Sequence, residues 1–173
     1  MNVSRIIKLH QGGPRIVEDR WTVVRDEPDA TRAAGPTAIL PLPVFLAMDD
    51  TQARSVRAVW ISPDDDFEPA MPRLRALELI AVDFPVFRDG RGYSIARLLR
   101  TRHGWNGELR AIGDVLRDQL NYLRRCGFDA FAVRADKDID DALKSFGFYT
   151  VTYQAGVDDP LPLFRRRAEQ RRA

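Results

Sequence analysis

Residues 77–83 read LELIAVD, and this stretch decides the fold. Apolar side chains sit at both odd and even positions, so a strand formed here is apolar on both faces. Such a strand belongs in the interior of a parallel sheet with its faces covered, and antiparallel strands with one wet face alternate instead. The residues after it agree. DFPVFRDG punctuates the strand with a turn, and SIARLLRTRHG then places Ile95, Leu98 and Leu99 on one helical face. Ser94 is expected to cap that helix and Gly104 to stop it.

The same alternation of short strand and amphipathic helix runs through the rest of the chain, the signature of βα units. SVRAVWIS precedes the central strand, and ELRAI, FDAFAVR and FYTVTYQ are expected as further strands. DVLRDQLNYLRRCG is expected as a helix capped by Asp114, with Val115, Leu116, Gln119, Leu120 and Leu123 buried and Gly127 closing it. DIDDALKSFG aligns Ile139, Ala142, Leu143 and Phe146 and ends at Gly147. Two helices thus finish in Gly-Phe and lead into a strand, a weak structural repeat.

Upstream, RWTVVRD reads as a strand in a hairpin with SRIIKL, and PVFLAMDDTQA as a short helix with Pro43 at its first position. The cluster AAGPTAILPLP separates this part from the βα units. The expected fold class is α/β: a mostly parallel sheet of βα units, open or a partial barrel, with an N-terminal β-hairpin elaboration. Residues 1–55 form the elaboration, 56–160 the α/β core and 161–173 a basic C-terminal tail.

Composition bounds the function. The 173 residues are 45% apolar and 30% charged, as in a soluble globular domain. A domain of this length buries roughly 70% of its unfolded surface without metal or disulfide help. The single cysteine, Cys126, excludes an intrachain disulfide, a cysteine-ligated iron–sulfur cluster and a redox CxxC pair. The start, MNVSRIIKLHQGG, lacks the apolar run of about 7–15 residues that marks a secretory signal. The longest apolar run, AILPLPVFLAM, is broken by prolines and falls short of the ~20 residues of a membrane span. A reducing cytoplasm is the expected location, with no membrane association.

The basic excess is local. Of 27 basic and 25 acidic residues, the terminal LFRRRAEQRRA holds five arginines and one glutamate, leaving 22 basic against 24 acidic. Clustered arginines attract phosphates, but no aromatic residues interleave these. A frayed, solvated terminus is therefore expected, and nucleic acid is not an expected partner.

Ligands of parallel sheets bind where the βα loops converge at the carboxyl ends of the strands. FRDGRGYS, residues 87–94, is such a loop at a helix start. Arg88 and Arg91 supply forked donors suited to sulfite, sulfate or phosphate, and Gly90 and Gly92 permit positive φ and close approach. Asp89, Tyr93 and Ser94 complete the loop, and Asp114 heads the next one, so Arg88–Ser94 with Asp114 form a candidate oxyanion site. The alternative is a plain turn whose arginines pair with Asp83, Asp89 or Glu108. The loop lacks the third glycine of a dinucleotide fingerprint, and no GxxxxGK[ST] occurs.

In GELRAIGD, residues 107–114, Glu108 and Arg110 alternate with Leu109 and Ala111 and project from one side of a strand. Glu108 is a candidate general acid or base with Arg110 as its partner or a substrate clamp, against the alternative of a structural ion pair. Asp114, Asp118, Asp136 and Asp138 have no metal-ligand spacing, and His10 and His103 stand in no CxxC or HExxH context, so no metal or cofactor is expected. Cys126 lies beside two arginines but at a helix C-terminus, and is read as a buried small hydrophobe.

The block 84–131, through its motifs DGRGYS, GELRA, GDVLRDQL and RCGFDAF, resembles a bacterial family, domain of unknown function 934. A looser pattern extends from Thr37 to Gln154. The resemblance implies a protein encoded beside assimilatory sulfite reductase and described as an oxidoreductase of sulfite reduction. The chain has no cluster ligands, dinucleotide fingerprint or thiol pair, so an accessory protein is expected, binding a small oxyanion or the reductase. The alternative is a barrel-like α/β enzyme acting on a phosphorylated or sulfonated metabolite. A homo-oligomer is compatible with either.

Overall fold

The computed structural model describes residues 4–25, 35–149 and 151–171. Its centre is β6 (Leu79–Phe84), in which all six residues are buried. It pairs in parallel with β5 (Ala58–Ile61) on one side and with β7 (Glu108–Gly113) on the other. The LELIAVD stretch is thus the two-sided buried strand its pattern demands.

Outward from β5 lie β4 (Ala38–Pro41) and β3 (Thr22–Val23), both parallel; outward from β7 lies β8 (Ala130–Phe131), also parallel. The hairpin of β1 (Arg5–His10) and β2 (Gly13–Glu18) joins antiparallel to β8, giving the order β2-β1-β8-β7-β6-β5-β4-β3. The fold is α/β, an eight-stranded, mostly parallel sheet curled into a half-barrel with an N-terminal hairpin. Residues before 42 supply both edges of that sheet.

Helices cover one face. They are α1 (Leu42–Ala47), α2 (Asp50–Ala53), α3 (Met71–Leu74), α4 (Arg91–Thr101), α5 (Leu120–Cys126) and α6 (Ile139–Leu143). Leu42, Phe45, Leu74, Leu99 and Leu123 pack with Ile80, Val82 and Leu109 into the main core, each side chain contributing roughly 1.5–3 kcal/mol by burial. Phe84 packs edge-on against Tyr93 and at a tilt against Phe128, at centroid distances of 5.2 and 5.9 Å. The other face carries Leu79, Ala81, Ile112 and Trp60 against Trp21, with no helix residue among them.

Five local expectations are corrected. RWTVVRD is not the hairpin partner of SRIIKL: GPRIVE is, and Thr22–Val23 lies at the opposite sheet edge. Only Ala130–Phe131 of FDAFAVR is strand. The described residues of FYTVTYQ form no strand, because β1 occupies the place beside β8 where the next parallel strand would go. Helix α4 begins at Arg91 with Gly90 as its N-cap, so Ser94 lies inside it and caps nothing. Asp114 is not a cap either, since a 3₁₀ turn at Arg117–Gln119 precedes α5.

The tail is helical rather than frayed over α7 (Leu163–Gln170). It is anchored where Arg166 donates to the Thr152 carbonyl and pairs with Asp159, each at 2.8 to 2.9 Å. Gly127 closes α5 at φ +109, as expected, and Asp138 caps α6. Among the described residues no helix is long and apolar enough to cross a membrane.

Candidate functional site

The chemistry-bearing side chains gather at two places on the face without helices. The first surrounds Arg110, which is 1% exposed on β7. Its Nε and Nη2 donate to Glu108 at 3.0 and 2.8 Å, and its Nη1 donates to Asp19 at 2.8 Å. Lys8 from β1 closes the other side of Glu108 at 2.6 Å. Two cations and two anions alternate, drawn from β1, β7 and the connection after β2, and every guanidinium nitrogen has an acceptor. A cavity of about 420 Å³, lined by Lys8, Glu18, Asp19, Arg20 and Trp21, opens beside them. The guanidiniums of Arg20 and Arg57 lie 5.8 and 5.7 Å from the Trp21 ring.

The second place is the carboxyl end of β6. Asp83 is 5% exposed and shares a face with Ala81 and Trp60. Arg25 reaches it from beyond β3, with Nη2 on Oδ1 and Nη1 on Oδ2, both at 2.8 Å. The same guanidinium lies 5.1 Å from the Trp60 ring, and Trp60 Nε1 donates to the Val24 carbonyl at 2.9 Å. Gly113 makes room: a Cβ there, at φ +91, would come within 2.6 Å of Asp83 Oδ1.

The loop FRDGRGYS lies at the same end of the sheet. Arg91 donates from Nε and Nη2 to Asp89, at 3.0 and 2.7 Å to the nearest oxygens, and from Nη1 to Asp64 at 2.5 Å. The hydrogen bonds from Arg91 hold the Asp89 carboxyl below its usual range. Of the pairings weighed for the plain turn, Arg91–Asp89 is the one formed. Arg88 is exposed and makes no hydrogen bond or ion pair among the described residues.

Neither Gly90 nor Gly92 adopts positive φ. Gly92 serves packing, because a Cβ there would lie 2.7 Å from the Phe84 ring. Tyr93 turns into the aromatic layer against Phe84 and Tyr122, and burial raises its hydroxyl pKa. Ser94 is exposed on α4. Asp114 accepts from the Phe87 amide at 2.9 Å and from Arg134 at 2.6 Å, tethering the loop to the end of β8.

The chain therefore brings Glu108 and Arg110 together, and keeps them apart from Arg88–Ser94. Asp83, Arg25 and Trp60 went unassigned in the sequence. The one available signal was an acidic residue ending an otherwise apolar strand. Cys126 is buried, and desolvation pushes its thiol up, away from reactivity. No group of His, Cys, Asp and Glu that could hold a metal occurs among the described residues.

The chain matches the family described as bacterial protein of unknown function (DUF934) over residues 58–164. It belongs to this family. The DUF934 match runs from β5 to the start of α7, so it contains Asp83, the FRDGRGYS loop, Glu108 and Arg110, while Lys8, Asp19 and Arg25 come from the segment before it. No curated protein and no solved structure matches the chain.

Proposed function

We propose that this DUF934 protein is a non-catalytic accessory protein that docks on a protein partner, and that the partner is the assimilatory sulfite reductase suggested by its resemblance to the family. The observation that carries this reading is the apolar surface after α6. Phe148, Tyr149, Val151 and Tyr153 are 59–70% exposed. Tyr122, on α5, is 56% exposed. Phe148 stacks under Arg117 at 5.1 Å, so part of this surface is held in place rather than left trailing. Large apolar side chains displayed together on a folded surface mark contact with another protein.

The charged groups favour docking over small-molecule chemistry. Arg91 could take an oxyanion only by releasing Asp64 and Asp89. Glu108, the candidate acid or base, is held by Lys8 and Arg110 at once. Co-purification tests the reading. Tagged wild type should retain the reductase, Y149S/Y153S should lose it at least tenfold, and R88A/R91A should retain it. Failure of wild type to retain the reductase, or full retention by Y149S/Y153S, overturns the proposal.

A further inference from the structure

We propose that Asp83, Trp60 and the approach provided by Gly113 form a binding site for the guanidinium group of a small ligand, occupied in this chain by its own Arg25. A carboxylate almost removed from water needs a cation, and Arg25 meets both oxygens with two different nitrogens at 2.8 Å, one of them through a hydrogen bond, as a guanidinium can and a single ammonium nitrogen cannot. Trp60 adds an aromatic face 5.1 Å from the cation. Gly113, at φ +91, is the residue that lets Asp83 Oδ1 sit where it does. The site lies at the carboxyl end of a central parallel strand, where ligands of such sheets bind.

The occupant is built to leave. The Arg25 side chain is 45% exposed, against 1% for Arg110. It is held by one carboxylate, whereas Arg110 is held by two. It comes just after β3, a strand of two residues paired through Thr22 and Val23 at the sheet edge. Removing its side chain should uncover the carboxylate and the indole face without disturbing the core beneath them.

The experiment uses the full chain and methylguanidinium as probe. R25A should bind methylguanidinium saturably, at least tenfold more tightly than wild type, with quenching of tryptophan fluorescence that disappears in R25A/W60F. R25A/D83N should not bind. The proposal is overturned if folded R25A shows no saturable binding, if wild type binds equally well, or if R25A/D83N still binds. Should R25A fail to fold by circular dichroism, methylguanidinium in the refolding buffer must restore the fold, and its failure to do so also overturns the proposal.

Discussion

Arg110 and Arg25 are both paired with carboxylates on the same face of the same sheet, yet they are opposite kinds of ion pair. Arg110 is enclosed, with each of its three guanidinium nitrogens donating to Asp19 or Glu108 and Lys8 completing the charge balance. Arg25 lies half in water over Asp83. A closed network of this kind fixes the hairpin and the crossing at Asp19 onto β7. A pair with one solvent-facing partner can open without unfolding anything.

The largest expected effect breaks the closed network. Arg110→Met leaves Asp19 and Glu108 without their shared cation, and should lower the unfolding free energy by about 3–5 kcal/mol in urea denaturation. Arg25→Met should cost about 1–3 kcal/mol, because water reaches Asp83 once the exposed side chain is gone. Equal losses in the two variants would erase the distinction between the regions.

A pH titration sharpens the comparison at the edge of the network. Asp129 precedes β8 and accepts from Arg100 at 2.8 Å and from the Leu109 amide at 2.9 Å. Burial nevertheless pushes its carboxyl up to about 6, with the Glu108 charge adding to the rise. The folded chain therefore holds this proton at pH values where the unfolded chain has lost it. Relative to Asp129→Asn, wild-type stability should fall as pH rises from about 4 to about 6 and level off above that. The side chain keeps 39% of its exposure, so solvent screens the effect and the slope is shallow. Thermal unfolding across this range checks the sign, and a rising difference would mean that the Arg100 attraction outweighs burial.

Legibility in the sequence depended on the range of the interactions. LELIAVD announced a buried parallel strand because its pattern is local, and the Glu108–Arg110 pair was legible because two residues on one strand face must meet. FYTVTYQ carries a strand's residue pattern, but pairing is decided by which strand arrives beside β8, and β1 comes from more than a hundred residues away. RWTVVRD met the same difficulty, as its pairing partner is β4 rather than the neighbouring SRIIKL. Ser94 lost its cap role because α4 starts three residues earlier, where Gly92 can press against Phe84. Asp83 with Arg25 could not be seen, since 58 residues and three strand positions separate them until the sheet curls.

The smallest effect is expected at the loop that looked most like a site. Arg91 has two acidic partners, as Arg110 does, but its side chain is 55% exposed and that of Asp64 is 79% exposed. Coulomb attraction there acts in high dielectric and is opposed by the entropy of ordering a long side chain. Arg91→Ala should therefore change stability by no more than about 1 kcal/mol, and added salt should shrink the difference further. Arg88→Ala, with no partner among the described residues, should be closer to neutral still. If Arg91→Ala proved as costly as Arg110→Met, the exposed fork would be holding the 62–66 loop to the start of α4, and burial would no longer be what separates a structural arginine from a replaceable one.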